Sequence, residues 1–188
     1  MGADLYIKKV HDKVRAEHDA AFEAAVDARD EAKNKAAKAN TRAFLAKSDT
    51  ARAKHEAAKA KWEKKAEELQ KVVSAEYDAM YSEGYFRDSY NASGVLNRMG
   101  LSWWQDVIPM LNRASNLAGA KLKQFRQMIE DHPVEITLEE IANTPYITLD
   151  DGENSPQSWL DYYVARRQRL IEFVDQAIKL RTGIYCSL

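Results

Sequence analysis

The chain of 188 residues has one cysteine, four prolines and no long apolar run. A single thiol cannot form an internal disulfide, and it excludes a zinc site built from several cysteines. Because so little cysteine suits a reducing compartment, the composition predicts a cytoplasmic protein. No apolar run approaches the ~18 residues that a membrane-spanning helix needs. We therefore expect no membrane partner.

Neither sign of charge is in excess. The chain has 28 Lys and Arg residues against 29 Asp and Glu residues, which gives a net charge of −1. This balance excludes the basic footprint of a general nucleic-acid binder and also the acidic excess of a DNA mimic. Nucleic acid is accordingly not the partner that the composition favours.

The sequence also lacks the short motifs of nucleotide binding and hydrolysis, because it contains no GxxxxGK[ST], GxGxxG or GxSxG. The four histidines are the only candidate nitrogen ligands, and none lies in an HExxH or Glu-x-x-His pattern: His11, His18, His55 and His132. We therefore predict no catalytic residue, no metal and no cofactor. The sequence leaves enzymatic activity open but favours a protein that is not an enzyme.

The composition changes near residue 84. Between Ala3 and Glu83 there is no glycine and no proline, and 21 of the first 83 residues are alanine. Alanine loses no side-chain entropy in a helix, whereas glycine and proline are the usual helix breakers. Apolar residues also recur every three or four positions along this part of the chain. The segment is therefore predicted to be long helix.

One turn-like cluster, Ala46–Thr50, interrupts the predicted helix, and Ser48 or Asp49 could cap a helix that follows it. Folding the chain back at this point would place small residues opposite one another near the turn: Ala43 with Ala53, Ala39 with Ala57 and Ala36 with Ala60. The sequence therefore predicts an antiparallel helical hairpin, or coiled coil, that protrudes from the rest of the chain. The alternative is one continuous helix that needs a partner chain.

From Gly84 onward, helix caps and apolar stripes predict a helical body. The expected helices begin at Trp103 with a kink at Pro109, span about 116–130, run briefly through Ile141, and begin again at Ser155–Pro156 before Gly183. Residues 145–153 are expected to form a loop, and no strand is predicted. The predicted fold is all-α: a compact helical bundle, 1–25 and 71–188, with an Ala-rich hairpin projection, 26–70.

Two aromatic segments, YFRDSYN and SWWQD, are the densest polar and aromatic parts of the chain. Their rings and charges could clamp the hairpin base to the body as a structural junction, or they could form a pocket in which Arg87 binds an anion or a partner carboxylate. The candidate binding residues are Tyr85, Arg87, Asp88, Tyr90, Trp103, Trp104 and Asp106.

Three arginines near the C-terminus, Arg166, Arg167 and Arg169, form a second candidate patch. Arg166 and Arg169 are three residues apart on a predicted helix, so they could dock a phosphate or an acidic partner surface. The structural alternative is that these cations are solvated or pair with Asp161 and Glu172.

The blocks GADLYI, GYFRDSYN and GLSWWQDVIPML and the ending CSL resemble those of small bacterial and phage-associated proteins of unassigned activity. The resemblance covers about residues 1–25 and 75–188. It implies no activity and assigns no functional residue.

A long projection with little interior volume favours binding to another protein, as an adaptor, inhibitor or assembly factor. The Ala-rich hairpin could also pair with a second copy of the chain. Two alternatives remain open. One is a small-molecule or enzymatic pocket at the aromatic segments. The other is a nucleic-acid contact through hairpin lysines, namely Lys59, Lys61, Lys64, Lys65 and Lys71.

Overall fold

A computed structural model describes residues 2–90, 93–137, 139–140 and 156–187. The chain is mostly helical but also contains a four-stranded antiparallel sheet. The helices are α1 (Lys8–Phe44), α2 (Asp49–Met80), α3 (Val95–Arg98), α4 (Gly119–Asp131) and α5 (Pro156–Lys179). The strands are β1 (Gly2–Tyr6), β2 (Tyr85–Ser89), β3 (Asn116–Leu117) and β4 (Ile184–Ser187). The prediction of a mostly helical chain is therefore confirmed, whereas the predictions of a purely all-α fold and of no strand are wrong.

The sheet has the strand order β2-β1-β4-β3. Ala3 and Leu5 on β1 are buried, whereas their neighbours along the strand are only half-buried, so the strand has one core face and one open face. The strands are two to five residues long. Such short segments carry little periodicity, and their hydrogen-bond partners lie far away in the sequence. This is why sequence patterns did not predict them.

The chain divides into two compact units, one of residues 1–10 and 84–188 and the other of residues 11–83. The second unit holds most of α1 and all of α2, and the chain leaves helical geometry at 45–48, where the sequence places a turn. The Ser48 side chain accepts a hydrogen bond from the Ala51 N–H at 3.2 Å, which confirms the predicted cap.

Side chains of α1 and α2 contact each other at several points along the second unit. The Arg29 guanidinium donates to the Gln70 side-chain oxygen at 3.1 Å, and the Lys35 ammonium lies 4.5 Å from the centre of the Trp62 ring. Five of the six buried residues on α1 are alanines, namely Ala25, Ala32, Ala36, Ala39 and Ala43. Each methyl group buries little area, so cross-helix polar and cation–π contacts supplement the apolar packing.

The first unit contains a hydrophobic core in which α4 and α5 lie together with the buried face of the sheet. Both helices present the predicted apolar stripes, with Leu122, Phe125 and Ile129 on α4 and with Leu170 and Val174 on α5. These positions repeat every three or four residues, as expected for helices with one buried face.

Several predicted helix bounds need correction. A five-residue π-helical turn, Trp103–Val107, followed by a 3₁₀ turn, Ile108–Met110, replaces the expected helix from Trp103. The helix expected from residue 116 begins at Gly119, because Asn116–Leu117 pairs with β4. Ile141, Ser155 and the loop expected at 145–153 lie outside the described residues. Within the described ranges, no helix has the length and apolar character needed to span a bilayer.

Candidate functional site

Asp88 is the most tightly held of the predicted binding residues. It lies on β2, is 3% exposed, and faces the core with Phe86. One carboxylate oxygen accepts the Val95 N–H at 2.8 Å, while the other accepts the Leu96 N–H at 3.2 Å and the Trp103 indole N–H at 2.9 Å. The carboxylate therefore caps the first turn of α3 and anchors an indole, which is a structural role.

The two tryptophans of the SWWQD segment, Trp103 and Trp104, have different surroundings. Trp103 is buried, and its ring centre lies 6.3 Å from that of Phe125. Trp104 is 59% exposed and contacts Tyr90, with the ring centres 5.5 Å apart. The Asp106 carboxylate accepts the Ser102 N–H at 2.7 Å and so closes the local turn. Of this segment, only Trp104 presents a large apolar surface to solvent.

Tyr85 and Arg87 lie on the open face of the sheet, where both contact Asp4 of the neighbouring strand. The Tyr85 hydroxyl donates to the Asp4 carboxylate at 2.5 Å, and the Arg87 Nε lies 3.7 Å from the same oxygen. Burial raises the pKa of Tyr85 strongly, and the hydrogen bond to Asp4 adds to this rise. Tyr85 therefore stays protonated and acts as a hydrogen-bond donor.

The same open face carries a row of three tyrosines, because the register places Tyr6 between Tyr85 and Tyr185. The Tyr6 ring centre lies 5.2 Å from that of Tyr85 and 6.1 Å from that of Tyr185. The Lys8 ammonium lies 4.2 Å from the centre of the Tyr185 ring. The sequence did not single out this row, since its members are far apart along the chain.

The three arginines of the second predicted patch have different surroundings. Arg167 donates to the carbonyl oxygens of Ile129, Glu130 and His132, so it stabilises the C-terminal end of α4. Arg169 is exposed. The Arg166 guanidinium lies 4.9 Å from the centre of the Phe86 ring, and it donates to the Arg87 backbone oxygen.

A cavity of about 450 Å³ between β2 and α5 brings together members of both predicted groups, namely Arg87, Asp88 and Arg166. Trp159 and Tyr162 of α5 also line it, and their rings meet edge to face with centres 5.6 Å apart. The Tyr162 ring centre is also 5.9 Å from the Arg166 guanidinium. Stacking on two aromatic rings therefore fixes the orientation of this cation.

The side chains that line the cavity include two guanidinium groups, those of Arg87 and Arg166. Arg166 forms no ion pair with any described carboxylate, and the buried Trp159 indole N–H has no hydrogen-bond partner in the described part of the chain. The carboxylate of Asp88 already accepts three hydrogen bonds. A site lined by two guanidinium groups, with a carboxylate whose oxygens already accept hydrogen bonds, suits a carboxylate or phosphate group.

Sequence reasoning missed Trp159 and Tyr162, although a signal for them exists. Together with Arg166 they recur at steps of three and four residues, so a helix places all three on one face. Attention to the polar face of α5, rather than to its apolar stripe alone, would have found them.

No group of three or more possible metal-ligating side chains occurs among residues 2–90, 93–137, 139–140 and 156–187. Cys186, the single cysteine, lies on the buried face of β4. Burial raises the pKa of its thiol to about 12. The thiol is therefore protonated at neutral pH and is a weak nucleophile.

Comparison with known proteins finds no family model, no curated protein and no solved structure that matches this chain. The resemblance to phage-associated proteins consequently remains a prediction from the sequence blocks.

Proposed function

We propose that this chain is a non-enzymatic interaction protein that binds an acidic group of another protein in the cavity between β2 and α5. The observation that carries the proposal is Arg166, a cation held by stacking on Phe86 and Tyr162 and without an ion-pair partner among the described residues. Because its position is set before binding, little side-chain entropy is lost when a carboxylate pairs with it.

The aromatic lining adds contact area to this charge. Trp and Arg are the residue types most often found to dominate binding energy in protein interfaces, and Trp159 lies beside Arg166 here. A cavity of about 450 Å³ accommodates a few side chains of a partner. It lies within the ~300–1,000 Å³ typical of small-ligand sites. A small anionic metabolite is therefore the second candidate ligand.

The predicted hairpin belongs to the same proposal. We infer that α1 and α2 form an antiparallel coiled coil whose projection, residues 26–70, gives an adaptor, inhibitor or assembly factor its reach, while 1–25 and 71–188 form the body. The alanine-lined seam and the cross-helix contacts of Arg29 and Lys35 support this arrangement. Pairing with a second copy, a cytoplasmic location and a phage-associated origin likewise remain predictions.

The alternative of nucleic-acid binding relies on five hairpin lysines. Two of these lysines form ion pairs, which weakens this alternative. The Lys59 ammonium lies 3.7 Å from the Glu63 carboxylate, and the Lys65 ammonium lies 3.8 Å from that of Glu68. Acidic neighbours lower the attraction of these lysines for phosphate.

The test uses the tagged full-length chain and a lysate of its source cells. We expect Arg166→Gln to lose at least about tenfold in capture of an acidic partner, since a charge-assisted hydrogen bond is worth about 1.5–3 kcal/mol. Arg169→Gln is the matched control, because it removes the same charge from an exposed position on the same helix. Equal capture by both variants would refute the proposed role of the cavity.

Native mass spectrometry distinguishes the second candidate. A small anion that co-purifies with the wild-type chain and is lost from Arg166→Gln would assign the cavity to a metabolite rather than to a partner protein.

A further inference from the structure

Two adjacent apolar side chains, Phe44 and Leu45, are exposed where α1 ends and the chain turns toward α2. Phe44 is 86% exposed and Leu45 is 68% exposed, and they are the two most exposed large hydrophobic residues in the part of the chain that the structure describes. Polar residues would serve a solvated turn equally well. A pair of large apolar side chains at such a position indicates contact with an apolar medium or surface.

The charge around this pair is strongly asymmetric. Residues 32–55 contain seven Lys and Arg residues and one acidic residue, Asp49, which gives a net charge of +6 with histidine neutral. The near-neutral balance of the whole chain conceals this local excess. Five of the seven cations are exposed and form no ion pair with any described residue, namely Lys33, Lys38, Arg42, Lys47 and Lys54. The apolar pair therefore lies within a cluster of available positive charge.

We propose that this segment, which we call the cationic tip (residues 38–54), binds the surface of an anionic lipid bilayer. Phe44 and Leu45 would enter the boundary between headgroups and acyl chains, while Arg42 and Lys47 would contact lipid phosphates. Aromatic and aliphatic side chains surrounded by Lys and Arg are the composition that binds this interface. This proposal replaces the expectation of no membrane partner, which was drawn from the lack of a membrane-spanning run, and it is independent of the proposed role of the cavity between β2 and α5.

The combination favours a bilayer over nucleic acid. Phosphate contacts to nucleic acid need only the cations and would leave two apolar side chains in water at the centre of the cluster. A bilayer interface takes up the apolar side chains and the cations together. Five cations lie within six residues of the turn at residues 45–48 or of the apolar pair, namely Lys38, Arg42, Lys47, Arg52 and Lys54. At ~1.5 Å per helical residue they lie within about one Debye length of the surface.

The test is flotation of the full-length chain with vesicles of equal parts phosphatidylcholine and phosphatidylserine, compared with vesicles of phosphatidylcholine alone. We expect the chain to bind the anionic vesicles and to bind neutral vesicles at least about tenfold more weakly, since each cation near an anionic surface contributes about fivefold in affinity. Arg42→Gln with Lys47→Gln should lower the affinity about 25-fold.

Two further variants separate insertion from charge. Phe44→Ser with Leu45→Ser should lower the affinity by at least about tenfold, because both side chains lose their transfer into the interface. Val72→Ser is the matched control: it alters another exposed apolar residue, on α2 but outside the cationic tip, and should bind as the wild type does. Circular dichroism checks that all variants keep their helices.

Absence of wild-type binding to anionic vesicles would overturn the proposal, as would equal binding of the serine double variant and the wild type. A duplex DNA of mixed sequence is the competing probe. If the wild type binds this DNA but not the vesicles, and Arg42→Gln with Lys47→Gln abolishes that binding, the cationic tip is a nucleic-acid contact instead. None of these results bears on Arg166, so failure here leaves the proposed function untouched.

Discussion

Replacing Asp88 by asparagine tests whether this residue is structural. An asparagine side chain keeps one acceptor oxygen, which we expect to stay with the Leu96 and Trp103 donors because they share one carboxylate oxygen. The Val95 N–H, now bonded at 2.8 Å, would then face an amide NH₂ group. Two hydrogen bonds also change from charged to neutral acceptors, which are weaker.

The expected cost follows from these three bonds. Loss of a hydrogen bond to a charged group costs about 1.5–3 kcal/mol, and weakening each of the other two costs roughly 0.5 kcal/mol or more. We therefore expect Asp88→Asn to lower the free energy of unfolding by about 3 kcal/mol. Stability of a typical domain is about 5–15 kcal/mol, so the variant should fold but unfold at a clearly lower urea concentration.

Urea unfolding followed by far-ultraviolet circular dichroism and tryptophan fluorescence measures the change. Asp106→Asn is the matched control, because its carboxylate accepts one N–H, that of Ser102, and an amide oxygen can replace it. The control should lose about 1 kcal/mol or less. Equal losses in the two variants would refute the assignment of Asp88 as a structural centre.

A double-mutant cycle isolates the indole contact. Trp103→Phe removes the N–H that reaches Asp88 but keeps an aromatic ring next to Phe125. We expect Asp88→Asn and Trp103→Phe to be coupled by about 1 kcal/mol, since residues that share a hydrogen bond are not additive. Additive losses would mean that the bond contributes nothing to stability. If Asp88→Asn does not fold, Trp103→Phe provides the test by itself. It should lower the free energy of unfolding by more than Asp106→Asn does.

Three further predictions concern caps and titrating groups. Ser48→Ala should lower the free energy of unfolding by about 1 kcal/mol through loss of the α2 cap, measured by urea unfolding; an unchanged midpoint would contradict this. Burial lowers the pKa of His11, so the unfolded chain binds a proton that the folded chain resists, and stability should fall as pH drops below about 6.5. His11→Asn should flatten this pH dependence of Tm, and an unchanged slope in this variant would contradict the prediction. The Cys186 thiol, with its pKa raised to about 12, should react with a thiol reagent far more slowly in the native than in the denatured chain; equal rates would contradict its burial.

Local patterns in the sequence were enough to predict much of the helical structure. The absence of glycine and proline between Ala3 and Glu83 favours helix at each position in turn. The cap at Ser48 and the apolar stripes of α4 and α5 likewise depend on residues only a few positions apart. Helix hydrogen bonds join residues four positions apart, so the information that determines them is contained in a short window. Sequence reasoning is strongest for features of this kind.

The tertiary structure alone decided the sheet and the composition of the candidate site. β1 pairs with strands that begin at Tyr85 and Ile184, and no short window contains both members of either pair. Likewise, the sequence proposed Arg87 and Arg166 as members of separate patches, and only folding brings them to one cavity. Strand pairing and the grouping of side chains depend on contacts between distant residues, whose partners are determined by the packing of the whole core.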